Sequence, residues 1–291
     1  MNITINDVFT TLKKRPPDSH KGSFGLLTNI CGSKNFTGAA TLAVLGALRS
    51  GVGIVCLAAT EHVILPASCK VSECTYLPLT SNESGSIAGT TDNIDRILKK
   101  LKSSTAALIG CGMTNSVDTQ KIVTQVITQS ERQLLLDADA LNSISHCVDI
   151  IKKAKYPPII TPHVAEMSRL TDFSIQDIKY EPETIALDFA RKYKCIVVLK
   201  DHVTHIAHPD GRIYVNTTGN AGLARGGSGD ILSGIIASFA AQGIDPFMSA
   251  VCAVYLHGLA ADRCAARLSQ YGMLPSDILT DLCAIFLEND R

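Results

Sequence analysis

The run Gly219-Asn220-Ala221-Gly222-Leu223-Ala224-Arg225-Gly226-Gly227-Ser228-Gly229-Asp230 constrains this chain more than any other stretch. Its glycines cannot pack a core or hold a regular element. They do let backbone N–H groups turn toward one point without Cβ clashes. The residues that follow, Ile231 to Ala241, are apolar on nearly every side and read as a buried helix. A glycine loop emptying into a buried helix N-terminus is an anion site, with free amides and the positive dipole end aimed together. Phosphate is the anion it suits. Asp230 then stands out, because it puts a carboxylate where the anion should lie.

One helix and a loop do not make a domain, so the rest of the 291-residue chain must supply a sheet for that helix to cover. Leu26–Cys31 reads as a short strand, Gly38–Arg49 as a helix and Ile54–Ala58 as a second strand, a strand-helix-strand unit of the parallel type. The pattern recurs in strand Ala106–Gly110, helix Val117–Thr128, strands Leu134–Asp137 and Pro158–Thr161, helix Pro182–Lys192 and strand Cys195–Lys200. Near-continuous aliphatic strands are what a parallel sheet buried under helices demands. A hairpin follows, Thr204–Ala207 and Arg212–Asn216 around Pro209-Asp210-Gly211, where Asp-Gly supplies positive φ. Three helices close the chain, roughly Asp230–Gln242, Pro246–Arg267 and Pro275–Leu287. With no linker and no repeat, residues 1–291 read as one α/β domain, a mostly parallel sheet between helical layers.

Lysine plus arginine equals aspartate plus glutamate at 27 each, so no overall basic field exists for nucleic acid or a membrane surface. The apolar stretches are too short to span a bilayer, and Met1–Thr10 lacks the pattern of a signal peptide. A cytoplasmic enzyme or binding protein is expected. The ten cysteines contain no Cys-x-x-Cys. Cys31, Cys56 and Cys195 lie in apolar runs, so free buried thiols are expected rather than a metal or disulfide framework. His202, His205 and His208 flank a strand-like segment, and a solvated hairpin is favoured over a metal site.

In open sheets of this kind ligands sit beyond the strand C-termini. Asp137-Ala138-Asp139-Ala140-Leu141-Asn142 ends one strand with two carboxylates, which suits Mg²⁺ bound through water or a helix cap at Asp139. Asp137 is taken as the metal carboxylate. Thr161-Pro162-His163 with Glu166 is a helix start capped by Thr161, or it places His163 as a ligand contact. Gly110-Cys111-Gly112 allows close backbone approach by a ligand, or makes the tight turn into the next helix. Lys200 is a snorkelling lysine or a phosphate contact. Asp230 is a dipole-stabilised helix acid, or the group that takes a substrate hydroxyl's proton while a phosphoryl group moves. The dipole would make it a poorer base, yet a loose phosphoryl-transfer transition state needs only an orienting carboxylate. The functional reading is the one adopted for Asp230.

Taken together these motifs resemble the ribokinase-like kinases, in which Gly-x-Gly-Asp, here Gly227-Ser228-Gly229-Asp230, marks the anion hole and catalytic aspartate. The chain is similar more specifically to the ADP/ATP-dependent NAD(P)H-hydrate dehydratases from about residue 15 to about residue 280. Ser19-His20-Lys21-Gly22, Phe36-Thr37-Gly38-Ala39-Ala40, Asp137 to Asn142, Thr161-Pro162-His163, Asn220 to Gly234 and Leu256-His257-Gly258 carry that likeness in order. The resemblance implies a ribokinase-like three-layer fold. It also implies a repair reaction that dehydrates the S epimer of hydrated NADH or NADPH. Its hydroxyl is phosphorylated from ADP or ATP with Mg²⁺, and phosphate is eliminated. By carry-over Ala39 or Ala40, Gly112, His163 and Asp230 would contact the hydrate. Lys200, Asp201, His202, Val203, Thr204 and Gly229 would hold the adenine nucleotide, and Gly227, Ser228 and Gly229 the transferring anion.

The resemblance further implies ADP as the usual donor and a homotetramer. It implies no N-terminal epimerase domain, so that a separate epimerase would serve the other epimer. Relatives carry Lys-Gly at Lys200-Asp201, Thr at Arg225 and Gly-Pro-Gly at Gly110-Cys111-Gly112. Asp201 adds a negative charge near the nucleotide, which Arg225 would offset by clamping phosphate, unless it narrows the site. A kinase of a thiazole or pyrimidine alcohol, and a non-catalytic nucleotide-binding sensor, are the alternatives. Retention of Asp230 speaks against the sensor.

Overall fold

The computed structural model describes residues 3–12 and 14–289. Its strands, in chain order, are β1 Leu26–Ile30, β2 Ile54–Thr60, β3 Cys74–Leu79, β4 Ala106–Ile109, β5 Gln133–Leu136, β6 Ile159–Ile160, β7 Ile196–Leu199, β8 Thr204–Ala207 and β9 Ile213–Asn216. They form one sheet in the order β3-β2-β1-β4-β5-β6-β7-β8-β9. Pairing is parallel from β3 through β7, and the β8–β9 hairpin adds an antiparallel edge. The strand-helix-strand unit read from residues 26–58 is therefore present, with Leu26 opposite Ile54 and Ile30 opposite Ala58.

The helices are α1 Ile5–Thr11, α2 Thr37–Arg49, α3 Glu61–Ser68, α4 Thr91–Lys102, α5 Val117–Gln129, α6 Asp139–Ile144, α7 Val164–Leu170, α8 Ile175–Tyr180, α9 Pro182–Tyr193, α10 Ser228–Ala241, α11 Pro246–Gly272 and α12 Ile278–Asn289. Ser269 takes non-helical angles (φ 64°, ψ 158°), so the continuous part of α11 ends near the residue the sequence pattern marks. Alternation along the strands sorts the core into two. Leu27, Leu57, Leu108 and Val198 face α2, α10 and α11 in one layer, and Ile30, Ala58, Ile109 and Val197 face α4, α5 and α9 in the other. This is the three-layer architecture the sequence implies.

What positions the site is the crossing of α2 and α10. A Cβ on Gly234 would lie 2.1 Å from the Ala43 carbonyl oxygen, and one on Gly46 would lie 2.5 Å from that of Ile231. Backbone thus meets backbone at both glycines. That contact holds the two helix starts, Thr37 and Ser228, over the same end of the sheet. Phe239, Ile235 and Ile236, all buried, then seal α10 against the sheet below. Because α10 is covered all round, its apolar composition has no solvent-facing stripe to reveal its orientation.

Gly234→Ala is expected to lower stability by about 3 kcal/mol through overpacking. Urea unfolding measures it, and an unchanged midpoint with unchanged slope would mean that the helices do not meet at these glycines.

Candidate active site

β1 has β2 on one side and β4 on the other, so the chain direction across the sheet reverses between β1 and β4. Their C-terminal ends open the crevice where ligands of such sheets bind. Gly32 leaves β1 and donates its N–H to the Cys111 carbonyl at 2.8 Å, tying the two exits together. Gly110 (φ 127°) passes so close to β5 that a Cβ there would lie 1.8 Å from the Asp137 carbonyl oxygen. Gly112 (φ 66°) abuts the start of α2, where its Cβ would meet those of Phe36 at 2.7 Å and Ala39 at 2.9 Å. The tight turn is present, and the close approaches its glycines permit are to the protein's own Asp137, Phe36 and Ala39. Ala39 and Gly112 stand together at the crevice. Ala40 does not join them: it is fully buried beneath Gly32.

Asp137, at the end of β5, is the hub. Its Oδ1 lies 2.9 Å from Lys200 Nζ at the end of β7. Its Oδ2 accepts from Ser233 Oγ of α10 at 2.7 Å and from Cys111 Sγ at 3.7 Å. Burial pushes the carboxyl up, but the ammonium and the serine hydroxyl outweigh it and hold Asp137 below the usual range. Burial likewise works against the Lys200 ammonium, and Asp137 with Glu166 keeps it above its ordinary value. The pair is therefore charged. Lys200 is no snorkelling residue, since its Nζ lies 3.5 Å from where a Cβ on Gly229 would stand.

Lys200 also organises the next strand end. Its N–H donates to the Pro162 carbonyl at 2.8 Å, and His163 pairs with it in a parallel bridge. The cap of α7 is His163 and not Thr161: Nδ1 accepts from the N–H groups of Ala165 at 3.1 Å and Glu166 at 3.3 Å, while Glu166 answers by accepting from the His163 N–H at 2.9 Å. Thr161 is buried below, against Asp137. The His163 ring stays half-exposed, and burial, then Lys200 and Arg169, push its pKa down, leaving it neutral. Helix start and crevice residue are here the same histidine. Asp139 does not cap α6 either; its Oδ2 accepts from the Thr114 N–H at 2.8 Å, and Ala138 stands at the cap with φ 48°.

The glycine loop enters α10 through Gly227 (φ 103°), whose place a larger residue would lose to Leu42. The Ser228 hydroxyl is buried with no partner among the described residues. A buried donor left open at a helix N-terminus suits a ligand oxygen. The loop's approach is fixed from α11: Asp262 accepts from the Gly219 N–H and from Asn220 Nδ2, each at 2.9 Å. His257, also on α11, is buried and pushed by that burial to about 4, hence neutral. Sequence reasoning gave His257 and Asp262 no role; the i, i+5 spacing on an apolar helix was the available sign. Arg225 turns away and donates to the Tyr271 carbonyl at the end of α11, so a phosphate clamp is not its place in this structure.

Asp230, the third residue of α10, faces the hub. Ligand atoms of Asp230, Asp137 and Cys111 all lie within 4.8 Å of one another. Burial first, and then the Asp137 charge, raise its pKa to about 6. That reverses the expectation from the helix dipole, because desolvation and a like charge outweigh a few amide dipoles. The same three ligand atoms do not fit a resident Mg²⁺. Both Asp137 oxygens are engaged, an ammonium sits on one of them, and the third donor is a thiol rather than a hard oxygen. Lys200 supplies the positive charge that Asp137 was expected to draw from a metal.

The nucleotide segment lies next to Lys200. Asp201 and His202 are exposed, and Asp201 Oδ1 accepts from the His202 N–H at 2.8 Å; Val203 and Thr204 are half-buried. A cavity beside this bend measures only ≈ 30 Å³, so an adenine ring would rest on the surface rather than in a socket. A far larger cavity, ≈ 1130 Å³, is lined by Phe9, Leu48, Phe239 and Phe286 at the opposite end of α10 and holds none of these residues. The three hairpin histidines are not gathered. His202 is exposed and His208 lies 2.8 Å from Asp210, while His205 is buried on β8, against the expectation of a solvated hairpin.

The raised Asp230 pKa has a stability consequence. An acid whose pKa is higher folded than unfolded favours the fold when protonated, and that advantage disappears as pH rises from its ordinary 3.8 through about 6. Asp230→Asn is therefore expected to gain on the unsubstituted protein by about 2 kcal/mol between pH 4 and pH 8. Parallel denaturation curves check it, and a difference constant with pH would remove the perturbed carboxyl.

Comparison with known proteins follows the same lines. The profile of the family described as NAD(P)H-hydrate dehydratase matches residues 27–283. The chain is 35% identical over 268 residues to the bifunctional NAD(P)H-hydrate repair enzyme Nnr of Moorella thermoacetica, covering 92% of this chain and 50% of that protein. It thus spans about half the length of the first curated relatives it matches. Similarity to the ADP-dependent (S)-NAD(P)H-hydrate dehydratase of Bacillus subtilis is 34% over 285 residues, 96% of this chain and 97% of that protein. A crystal structure of the Bacillus subtilis ADP/ATP-dependent NAD(P)H-hydrate dehydratase, co-crystallised with ATP/Mg²⁺, superposes with TM-score 0.83 and 31% identity over 98% of this chain and 97% of that one. An Enterococcus faecalis protein of the ribokinase-like superfamily superposes with TM-score 0.85 at 26% identity, over 99% of this chain and 95% of that one.

Proposed function

The chain belongs to the NAD(P)H-hydrate dehydratase family, and we propose that it dehydrates hydrated NADH or NADPH, the S epimer, at the expense of ADP or ATP. The observation that carries this reading is a carboxyl of raised pKa, Asp230, set at the mouth of an anion loop beside a charged Asp137–Lys200 pair. A group with a pKa of about 6 is ionised at neutral pH yet basic enough to share a proton in the transition state. The ground for preferring transfer to mere nucleotide sensing is that a sensor needs the loop but gains nothing from a buried acid.

In this proposal the substrate hydroxyl hydrogen-bonds Asp230 and attacks the terminal phosphorus of the nucleotide. The P–O bond to the leaving nucleotide breaks, Asp230 takes the hydroxyl proton, and AMP departs from ADP. The amides of Gly227 and Gly229 and the hydroxyl of Ser228, whose own N–H is donated to the Arg225 carbonyl at 3.3 Å, hold the transferring phosphoryl oxygens, with Lys200 offsetting their charge. Phosphate then leaves with the electrons of the carbon–oxygen bond, and a proton leaves the neighbouring ring carbon, restoring the double bond. Ala39, Gly112 and His163 line the side where the nicotinamide would lie, and residues 200–204 the side of the adenosine. Any Mg²⁺ would come with the nucleotide phosphates, whose charge it would screen, since the protein's own ligand atoms do not fit one.

A homotetramer, a cytoplasmic setting and an epimerase acting on the same hydrate, as a separate protein or a further domain, complete the proposal. For the epimerase the support is that the Moorella relative is named bifunctional. No helix among the described residues is long and apolar enough to cross a membrane.

Incubation with hydrated NADH, Mg²⁺ and ADP or ATP is expected to restore dihydronicotinamide absorbance. No recovery with either nucleotide, where an authentic dehydratase works, overturns the reading. Asp230→Asn should lower kcat by at least ~10²-fold, within the usual range for a general base, while the nucleotide Kd stays within a few-fold. In the unsubstituted protein kcat should fall as pH drops through about 6, because protonated Asp230 cannot accept the hydroxyl proton. A flat acid limb would take that role from it.

A further inference from the structure

Cys111 is the hub residue that the chemistry above leaves unused. It is fully buried, on a turn whose backbone is held from three sides: Gly110 N–H to the Ile30 carbonyl at 3.2 Å, the Cys111 carbonyl to the Gly32 N–H at 2.8 Å, and Met113 N–H to the Gly110 carbonyl at 3.2 Å. Its side chain is therefore aimed by the backbone and has little freedom to turn elsewhere. Sγ lies 3.7 Å from Asp137 Oδ2 and within 4.8 Å of the Asp230 carboxylate. The neighbouring Cys31 side chain first, then burial and the two carboxylates, push the thiol pKa well up, so it remains an S–H donor. Its single proton is the donor placed between the two carboxylates, and in this structure it faces Asp137.

Two carboxylates this close repel one another, and each has to be held. Asp137 has Lys200 on one oxygen and Ser233 at 2.7 Å on the other. Asp230 has the Cys111 sulfur within 4.8 Å. A thiol is a weak donor with a large, soft sulfur. It fills the gap between the carboxylates and directs one of them without binding it tightly enough to suppress its basicity. A hydroxyl in the same place would donate more strongly from a smaller atom.

Resting on the dehydratase reading, we propose that Cys111 is a positioning residue, an uncharged donor wedged between Asp137 and Asp230 that fixes the side-chain rotamer in which Asp230 meets the substrate hydroxyl. Lys200, Asp139, Glu166 and His163 surround the hub on the other strand ends, but the contact that sets the Asp137–Asp230 spacing is the thiol's.

Cys111→Ala and Cys111→Ser separate this role from simple packing. Loss of the donor should lower kcat by about tenfold to a hundredfold, as misplacement of a reacting group does, with the KM for either substrate within about twofold. Serine should restore kcat to within about threefold of the unsubstituted protein, although it too leaves part of the sulfur's volume empty. Equal losses in both variants, unchanged kcat in alanine, or a loss confined to KM would overturn the proposal. Crystal structures of the unsubstituted and alanine proteins give a readout independent of turnover. Asp230 should hold one rotamer with the thiol and leave it without; one shared rotamer overturns the proposal even if the protein proves to have another activity. An inactive unsubstituted protein whose Asp230 nevertheless moves in the alanine variant would fault the dehydratase reading and leave the positioning role standing. Should alanine fail to fold, the serine structure and kcat decide by the same criteria.

Discussion

An ammonium and a carboxylate removed from water together are unstable unless each satisfies the other, and that requirement governs the centre of this molecule. Asp137 and Lys200 sit at the ends of β5 and β7, two strands apart in the sheet, with β6 between them. Their 2.9 Å contact closes over the end of β6, and Ser233 draws α10 to the same carboxylate. Breaking such a pair by removing one partner typically costs about 3–5 kcal/mol, because the survivor stays buried and unpaired. The pair is thus a fixed point to which two strand ends and one helix are referred. Once it is set, the glycine loop has Lys200 on one side and the Gly110-Cys111-Gly112 turn on the other.

The fixed point also explains why Asp230 behaves unlike an ordinary helix N-terminal acid. Three amides at a helix start favour a carboxylate by about 0.3–1 kcal/mol at a solvated surface. Here the carboxylate is taken from water and set near a second one that Lys200 has already claimed. The ammonium's attraction is largely spent on Asp137, so Asp230 feels the neighbouring negative charge more than the positive one. One cation shared unequally between two acids keeps one of them ionised and makes the other basic. This is the separation of roles that acid–base chemistry requires.

The fold was legible because buried parallel strands are near-continuous aliphatic runs, and six of the nine could be placed by that signal together with the hairpin pair. β3 was not: it lies at the sheet edge, carries Pro78 and is buried only at its two end residues, which is how an edge strand hides. At the site, glycines spoke clearly, since positive φ and close approach leave no other residue possible at Gly110, Gly112 and Gly227. Polar residues spoke ambiguously. Asp139, His163 and Thr161 each had two readings, and which backbone N–H a side chain caps depends on a turn of one residue that no local pattern fixes. Asp137 was singled out among the strand-end carboxylates, and it is buried, but it was given a cation from solution. Its true partner is 63 residues away, a pairing that only the sheet order creates.

The two ends of the crevice differ in how firmly they are built, and that difference bears on how a nucleotide would be selected. Around the glycine loop the structure is anchored: Asp262 holds Gly219 and Asn220, and Asp137 holds Lys200. Around residues 201–203 the backbone bends at the surface with only a ≈ 30 Å³ hollow beneath it. Under the proposed dehydratase reading, a rigid, charged phosphate end would recognise what ADP and ATP have in common, whereas a shallow base end would add little discrimination between them. Preference for one donor must then come from where its terminal phosphorus stands relative to Asp230, a matter of one phosphate's length. The positioning proposed for Cys111 would act on that same distance. Donor choice and proton transfer are in this way referred to a single cluster rather than divided between the two ends of the site.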